Sequence, residues 1–152
     1  MVGFFPAAAL ASQTQPTVSA EASILIDMKT GTVLFEKNAD KIMEPASITK
    51  VMTGLLTIEN LDLDQTVTVP EGLHVPGNGM NLVAGETLTV KDLLYGMMVH
   101  SSNDAAVVLS MQLASSSKAF NQMADDRAAQ MGATHTVFKN PNGLNNVTGH
   151  VT

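Results

Sequence analysis

The chain has 152 residues and a mass of 16.0 kDa, enough for one domain with a buried core. Eight basic residues against fourteen acidic ones give a formal charge of −6, which opposes binding of nucleic acid or an anionic membrane through a basic patch. Charged residues make up only 14% and apolar ones 45%, which argues against disorder, and the absence of cysteine excludes disulfides, thiolate chemistry and cysteine-based zinc sites.

Residues 1–20 differ from the rest. Val2–Ala11 is apolar and ends in small residues, and Ser12–Ala20 is polar and linker-like. Together they resemble the apolar region and cleavage zone of a secretory signal, with Ala9-Leu10-Ala11 or Val18-Ser19-Ala20 as candidate sites, although the usual basic start is missing. Residues 1–20 are therefore read as a signal-peptide remnant and linker, and 21–152 as the folded part. Ten apolar residues are too few to span a bilayer. Ser23–Asp27 and Thr32–Glu36 are β-prone runs around the turn Met28-Lys29-Thr30-Gly31, a predicted hairpin. Glu44-Pro45-Ala46 is expected to arrive extended at a helix start, because the residue before a proline avoids the α region.

Residues 47–59 carry apolar side chains at 48, 51, 52, 55, 56 and 58, which predicts a helix buried on most sides. Gly54 within it costs about 1 kcal/mol relative to alanine unless another backbone packs closely there. Gln65–Pro70 alternates like a short strand, Glu71–Asn81 is a Gly/Pro-rich loop and Leu82–Thr87 a turn region. Thr89 is placed to cap a helix over Val90–Val99. Asp104–Ala114 and Lys118–Met131 read as two further helices, the second with Asp125, Asp126 and Arg127 outward. Thr136–Phe138 is predicted as a short strand and Asn140-Pro141-Asn142-Gly143 as a turn. Strands followed by helices imply an α+β fold, a helical cluster packed on part of an antiparallel sheet.

Two groups of residues carry chemistry. Ser47 and Lys50 are one helical turn apart and share a face, so a hydroxyl and an amine can meet. A serine that attacks a carbonyl needs a neighbour to take its proton, and a lysine of depressed pKa serves. The alternative is an N-cap serine beside a solvated lysine. Ser101 and Asn103 lie two apart in His100-Ser101-Ser102-Asn103-Asp104, so in a non-helical turn both can point the same way, a hydroxyl to relay a proton and an amide to bind a peptide. The plainer reading is a helix–helix loop with serine and asparagine as caps. His74, His100, His135 and His150 share no metal-ligand spacing, and the carboxylates form no pair suited to glycoside hydrolysis, so no metal or cofactor is expected.

Ser-x-x-Lys followed by Ser-x-Asn belongs to a set, completed by Lys-Thr-Gly, found in class A β-lactamases and penicillin-binding proteins. The stretches Glu44–Thr53, Ser102–Ala106 and Phe138–Leu144, with Asp27 and Thr30-Gly31 in the hairpin, resemble the low-molecular-mass penicillin-binding proteins, and among them the serine-type D-alanyl-D-alanine carboxypeptidases. The resemblance covers roughly residues 22–152. It implies a β-lactamase/transpeptidase-like fold, with Ser47 as nucleophile and backbone oxyanion donor, Lys50 as general base, Ser101 as proton relay and Asn103 as substrate-binding residue. It further implies peptidoglycan stem peptides ending in D-Ala-D-Ala as substrate, β-lactams as covalent inhibitors, and an exported protein at the extracytoplasmic face of the membrane. Any membrane association would come from elements absent from this sequence.

One element departs from the pattern. Lys29-Thr30-Gly31 precedes Ser47 and is read as unrelated to the site, and no Lys-Thr-Gly or Lys-Ser-Gly follows Asn103. The expectation is thus an incomplete fold, the N-terminal portion of a catalytic domain cut before its third motif. The rival readings are a serine β-lactamase, against which Asn140–Leu144 argues, and a catalytically incompetent remnant that binds cell-wall peptide.

Overall fold

Runs of β-branched and apolar residues at Ile24–Ile26 and Thr32–Phe35 place the first strands of the computed structural model, which describes residues 16–144. The apolar run Val2–Ala11 and His150 lie outside the described residues. The chain divides into two compact units between Lys41 and Ile42. In the first, β1 (Ser23–Ile26) pairs antiparallel with β2 (Val33–Lys37), with a register shift between Leu25 and Ile26. Asp27 closes the turn: its Oδ1 accepts from the Lys29 N–H at 3.0 Å, the Thr30 N–H at 2.8 Å and the Thr30 hydroxyl at 2.9 Å. These bonds hold its carboxyl below the usual carboxylate range. Lys29-Thr30-Gly31 is therefore a turn tip locked onto its own strand. Lys37 Nζ also donates to the carbonyls of Val18 at 2.9 Å and Ala20 at 2.7 Å, tying the segment ahead of β1 to the hairpin.

The second unit is mainly helical. A 3₁₀ turn (Ala46–Ile48) leads into α1 (Thr49–Asn60), followed by β3 (Thr66–Thr68), β4 (Thr87–Thr89), α2 (Val90–Val99), α3 (Asn103–Leu113) and α4 (Ser117–Gln130). The sequence reading of Leu82–Thr87 as turn alone missed β4, whose Thr-Leu-Thr pairs antiparallel with Thr66-Val67-Thr68 and buries Val67. Thr136–Phe138 is not a strand, since only Val137 makes a bridge. The chain does not reach α1 extended either: Pro45 is α-helical at φ −75° and ψ −9°, and Ala46 is left-handed at φ +47°.

Two clusters form the core of this unit. Val90, Leu93 and Met97 of α2 meet Ala105, Ala106, Val108 and Leu109 of α3, with Val67 beneath. Met52 and Leu56 of α1 meet Phe120, Ala124 and Ala128 of α4, with Phe138. Arg127 of α4 pairs with Glu59 of α1 at 2.7 Å, and Asp125 accepts the Phe138 N–H at 2.7 Å, so neither points simply outward as expected. Gly54 faces side chains of α2, with Met98 Sδ 3.3 Å from where a Cβ would stand, rather than another backbone.

The predicted apolar envelope of α1 is also corrected. Ile48, Val51 and Ile58 are 71%, 57% and 59% exposed, while Thr49, Lys50, Thr53 and Thr57 are buried. The helix turns a polar stripe inward. Thr89 caps α2 as expected, in a reciprocal capping box: its Oγ1 accepts the Asp92 N–H at 3.0 Å, and Asp92 Oδ2 accepts the Thr89 N–H at 3.3 Å. Thr89→Ala is expected to lower stability by about 1 kcal/mol in urea unfolding; an unchanged midpoint contradicts the box.

Candidate active site

The 3₁₀ turn exposes Ser47 while the next turn buries Lys50, and the two meet at 3.1 Å between Lys50 Nζ and Ser47 Oγ. This is hydrogen-bond reach for a nucleophile and its base. Ser47 is not an N-cap, because it sits inside the 3₁₀ turn and α1 begins beyond it. Nor is Lys50 solvated, being only 2% exposed. Its other partner is the main-chain carbonyl of Asn142, at 3.0 Å. Neither partner is an anion. Burial therefore acts on the ammonium without compensation and pushes the amine's pKa down.

The wall against Lys50 is the turn Asn140–Leu144. Asn140 Oδ1 accepts from the Asn142 N–H at 3.2 Å and the Gly143 N–H at 2.6 Å, and Asn140 Nδ2 donates to the Leu144 carbonyl at 2.9 Å. Asn142 Oδ1 accepts the Leu144 N–H at 3.1 Å. The turn docks on the polar stripe of α1 at two points, through the Thr53 hydroxyl to the Pro141 carbonyl at 2.7 Å and through Lys50 to Asn142. Gly143 allows the approach: it is left-handed at φ +78°, and a Cβ there would lie 1.8 Å from the Ala46 carbonyl oxygen. The residue before the nucleophile is thus pressed against the turn. Sequence reasoning identified Asn140–Gly143 as a turn and Phe138–Leu144 as a point of resemblance, but not Asn142 as the acceptor for Lys50. Asn-x-Asn-Gly announces a turn's shape, not which side chain it will cover.

Ser101 and Asn103 sit at the junction of α2 and α3. Ser101 is half-buried and left-handed at φ +58°, a conformation that costs a non-glycine residue roughly 1–3 kcal/mol, of the kind concentrated at functional sites. The junction is clamped by residues 76–82. Asn103 donates its N–H to the Asn78 carbonyl at 2.8 Å and its Nδ2 to the Pro76 carbonyl at 3.0 Å. The Asn78 amide donates to the His100 carbonyl. Asp104, buried, accepts from the N–H groups of Met80 at 3.0 Å and Leu82 at 3.1 Å. Gly77 links this clamp to the turn, since a Cβ there would stand 2.9 Å from Asn103 Nδ2 and 4.0 Å from Leu144 Cδ2. The structure thus joins Ser47 and Lys50 directly, while Asn103 is held in the 76–82 clamp, whose Gly77 also faces Leu144. Among the described residues no hydrogen bond joins Ser101 to Ser47 or Lys50.

Comparison with known proteins gives the chain a family and a fold. A family model for D-alanyl-D-alanine carboxypeptidase matches residues 9–152. The chain is 37% identical over 131 residues to the D-alanyl-D-alanine carboxypeptidase DacF of Bacillus subtilis, covering 82% of this chain and 34% of that protein. It is 36% identical over 155 residues to DacC of Escherichia coli, covering 93% and 39%. The crystal structure of a D-alanyl-D-alanine carboxypeptidase from Mycobacterium tuberculosis superposes with a TM-score of 0.87 at 29% identity, over 93% of this chain and 54% of that one. The chain thus spans between a third and two fifths of the length of these two curated relatives.

Gly143→Ala tests whether the turn must close on the nucleophile. The left-handed backbone costs an alanine roughly 1–2 kcal/mol, and overpacking against the Ala46 carbonyl adds about 1–3 kcal/mol. The variant is expected to lose at least about 2 kcal/mol in urea unfolding, and a loss below about 0.5 kcal/mol contradicts the close approach.

Proposed function

This chain belongs to the D-alanyl-D-alanine carboxypeptidase family, and from that premise we propose that it acts as a serine-type enzyme removing the terminal D-alanine from peptidoglycan stem peptides. The observation that carries the reading is the contact of 3.1 Å between the exposed Ser47 hydroxyl and an amine deprived of both water and counter-charge. In its neutral form Lys50 takes the Ser47 proton as Oγ attacks the carbonyl carbon of the penultimate D-alanine. The negative charge gathers on the carbonyl oxygen, where the Ser47 N–H donates; one such donor is typically worth about 2.7–4 kcal/mol. The proton then passes by way of Ser101 to the leaving nitrogen, the C–N bond breaks, and free D-alanine departs. Water attacks the Ser47 ester, gives its proton back through Lys50, and releases the shortened peptide. Asn103 orients the substrate's amide with Oδ1 and the Nδ2 hydrogen not donated to Pro76.

A β-lactam presents a strained amide in place of the D-Ala-D-Ala bond and acylates the same oxygen. The substrate places the protein outside the cytoplasmic membrane, consistent with the signal-like character of residues 1–20. No helix among the described residues is long and apolar enough to cross a membrane. The names of the similar proteins favour a carboxypeptidase over a serine β-lactamase. The reading concerns the nucleophile, base and relay, because the 152 residues hold no Lys-Thr-Gly after Asn103.

Incubation with a fluorescent penicillin tests it. Covalent label is expected on the folded chain and not on Ser47→Ala, with Lys50→Ala slowed by at least about a hundredfold, the usual scale for a general base. A folded protein that takes no label, or label that survives Ser47→Ala, contradicts the proposal.

A further inference from the structure

The mechanism needs more of Lys50 than nearness to Ser47. A neutral amine has two N–H groups and one lone pair, and it serves as a base only while the lone pair faces the hydroxyl. Something must hold the N–H groups elsewhere. The Asn142 carbonyl accepts one of them at 3.0 Å, and it belongs to a main-chain turn rather than a side chain. What keeps that carbonyl in place is therefore part of how the base is aimed.

We propose that Asn140 is a positioning residue for the Ser47–Lys50 pair: its side-chain amide fixes the Asn142 carbonyl against Lys50 Nζ and keeps the amine directed at Ser47 Oγ. Its three side-chain hydrogen bonds all act on this turn. Oδ1 accepts from the N–H groups of Asn142 and Gly143, on either side of the carbonyl concerned, and Nδ2 donates to the Leu144 carbonyl. Two N–H donors on one atom and a carbonyl acceptor on the other also fix which way the amide lies. Pro141 restricts the backbone ahead of Asn142, and Thr53 holds the Pro141 carbonyl from α1. Asn140 hydrogen-bonds to Asn142, Gly143 and Leu144 rather than to Ser47 or Lys50, so its influence runs through Asn142.

The charged groups on the elements around α1 are occupied elsewhere or exposed. On α2, Asp92 caps its own helix and Lys91 is exposed. On α3, Asp104 binds the N–H groups of Met80 and Leu82. On α4, Asp125 binds Phe138, Asp126 accepts from Gln122, Arg127 pairs with Glu59 of α1, and Lys118 is exposed. Lys139, next to the turn, is exposed too. The turn's cover and carbonyl are thus the local influences on Lys50 that Asn140 controls. Loosening the turn lets water reach the amine, which relaxes the burial that lowers its pKa.

The proposal rests on Lys50 as base, and the test separates the two. The protein carries ¹³C in its lysine side chains, and the Lys50 Cε resonance is titrated in the parent, Asn140→Ala and Asn140→Ser. A serine hydroxyl accepts from the same N–H groups more weakly. The Lys50 midpoint is expected to rise in Asn140→Ala and to rise less in Asn140→Ser, with Ser47 acylation by the fluorescent penicillin slowed near neutral pH by about tenfold for each unit of rise. A Lys50 midpoint unchanged in both folded variants overturns the proposal, even if their melting temperatures fall. A raised midpoint with an unchanged acylation rate contradicts Lys50 as base and reduces Asn140 to a structural residue. Should Asn140→Ala fail to fold, Asn140→Ser carries the same comparison.

Discussion

An amine held out of water with no anion beside it is the constraint around which the helical unit is arranged. Lysine ammonium is strongly hydrated, and a buried one normally acquires a carboxylate partner or releases its proton. Lys50 has a hydroxyl and a carbonyl instead. That choice makes the neutral form more accessible and sets an amine able to accept a proton beside an exposed serine. The inward polar stripe of α1, the left-handed Ala46, the closely packed Gly143 and the Asn140 network all serve the same local arrangement.

The arrangement costs stability, with a definite sign. Because burial lowers the Lys50 pKa, the folded chain gives up that proton at lower pH than the unfolded chain, whose lysine titrates near the ordinary value of about 10.4. Between the two midpoints the unfolded state holds more protons, so stability rises with pH across that window. Below the lowered midpoint both states are charged, and the fold bears the full penalty of the buried ammonium. The cores on either side of α1, Met97 and Leu109 on one hand and Phe120 and Leu56 on the other, supply apolar burial that offsets it.

Much of this could be read in the chain, for particular reasons. Thr89 with Asp92 three residues later is a capping box, and α2 starts at the residue that pattern requires. The Ser47–Lys50 pair was legible because the spacing of one helical turn fixes which side chains can meet. Local rules failed where tertiary packing decides. Ile48, Val51 and Ile58 suggested burial, but the turn from 140 to 144 docks on the opposite, polar side of α1. β4 was hidden because Thr-Leu-Thr is too short to announce itself without Thr66–Thr68 to pair with. The link from Lys50 to Asn142 spans 92 residues, and no spacing rule reaches that far.

The chemistry of the site turns on the protonation of one side chain, so the most direct measurement is the titration of Lys50 itself in the unaltered protein, followed through its ε-carbon by NMR. A midpoint clearly below the ordinary lysine value of about 10.4 is the predicted result. A midpoint at or above that value would contradict it, because Ser47 would then face a permanently charged ammonium that cannot accept its proton.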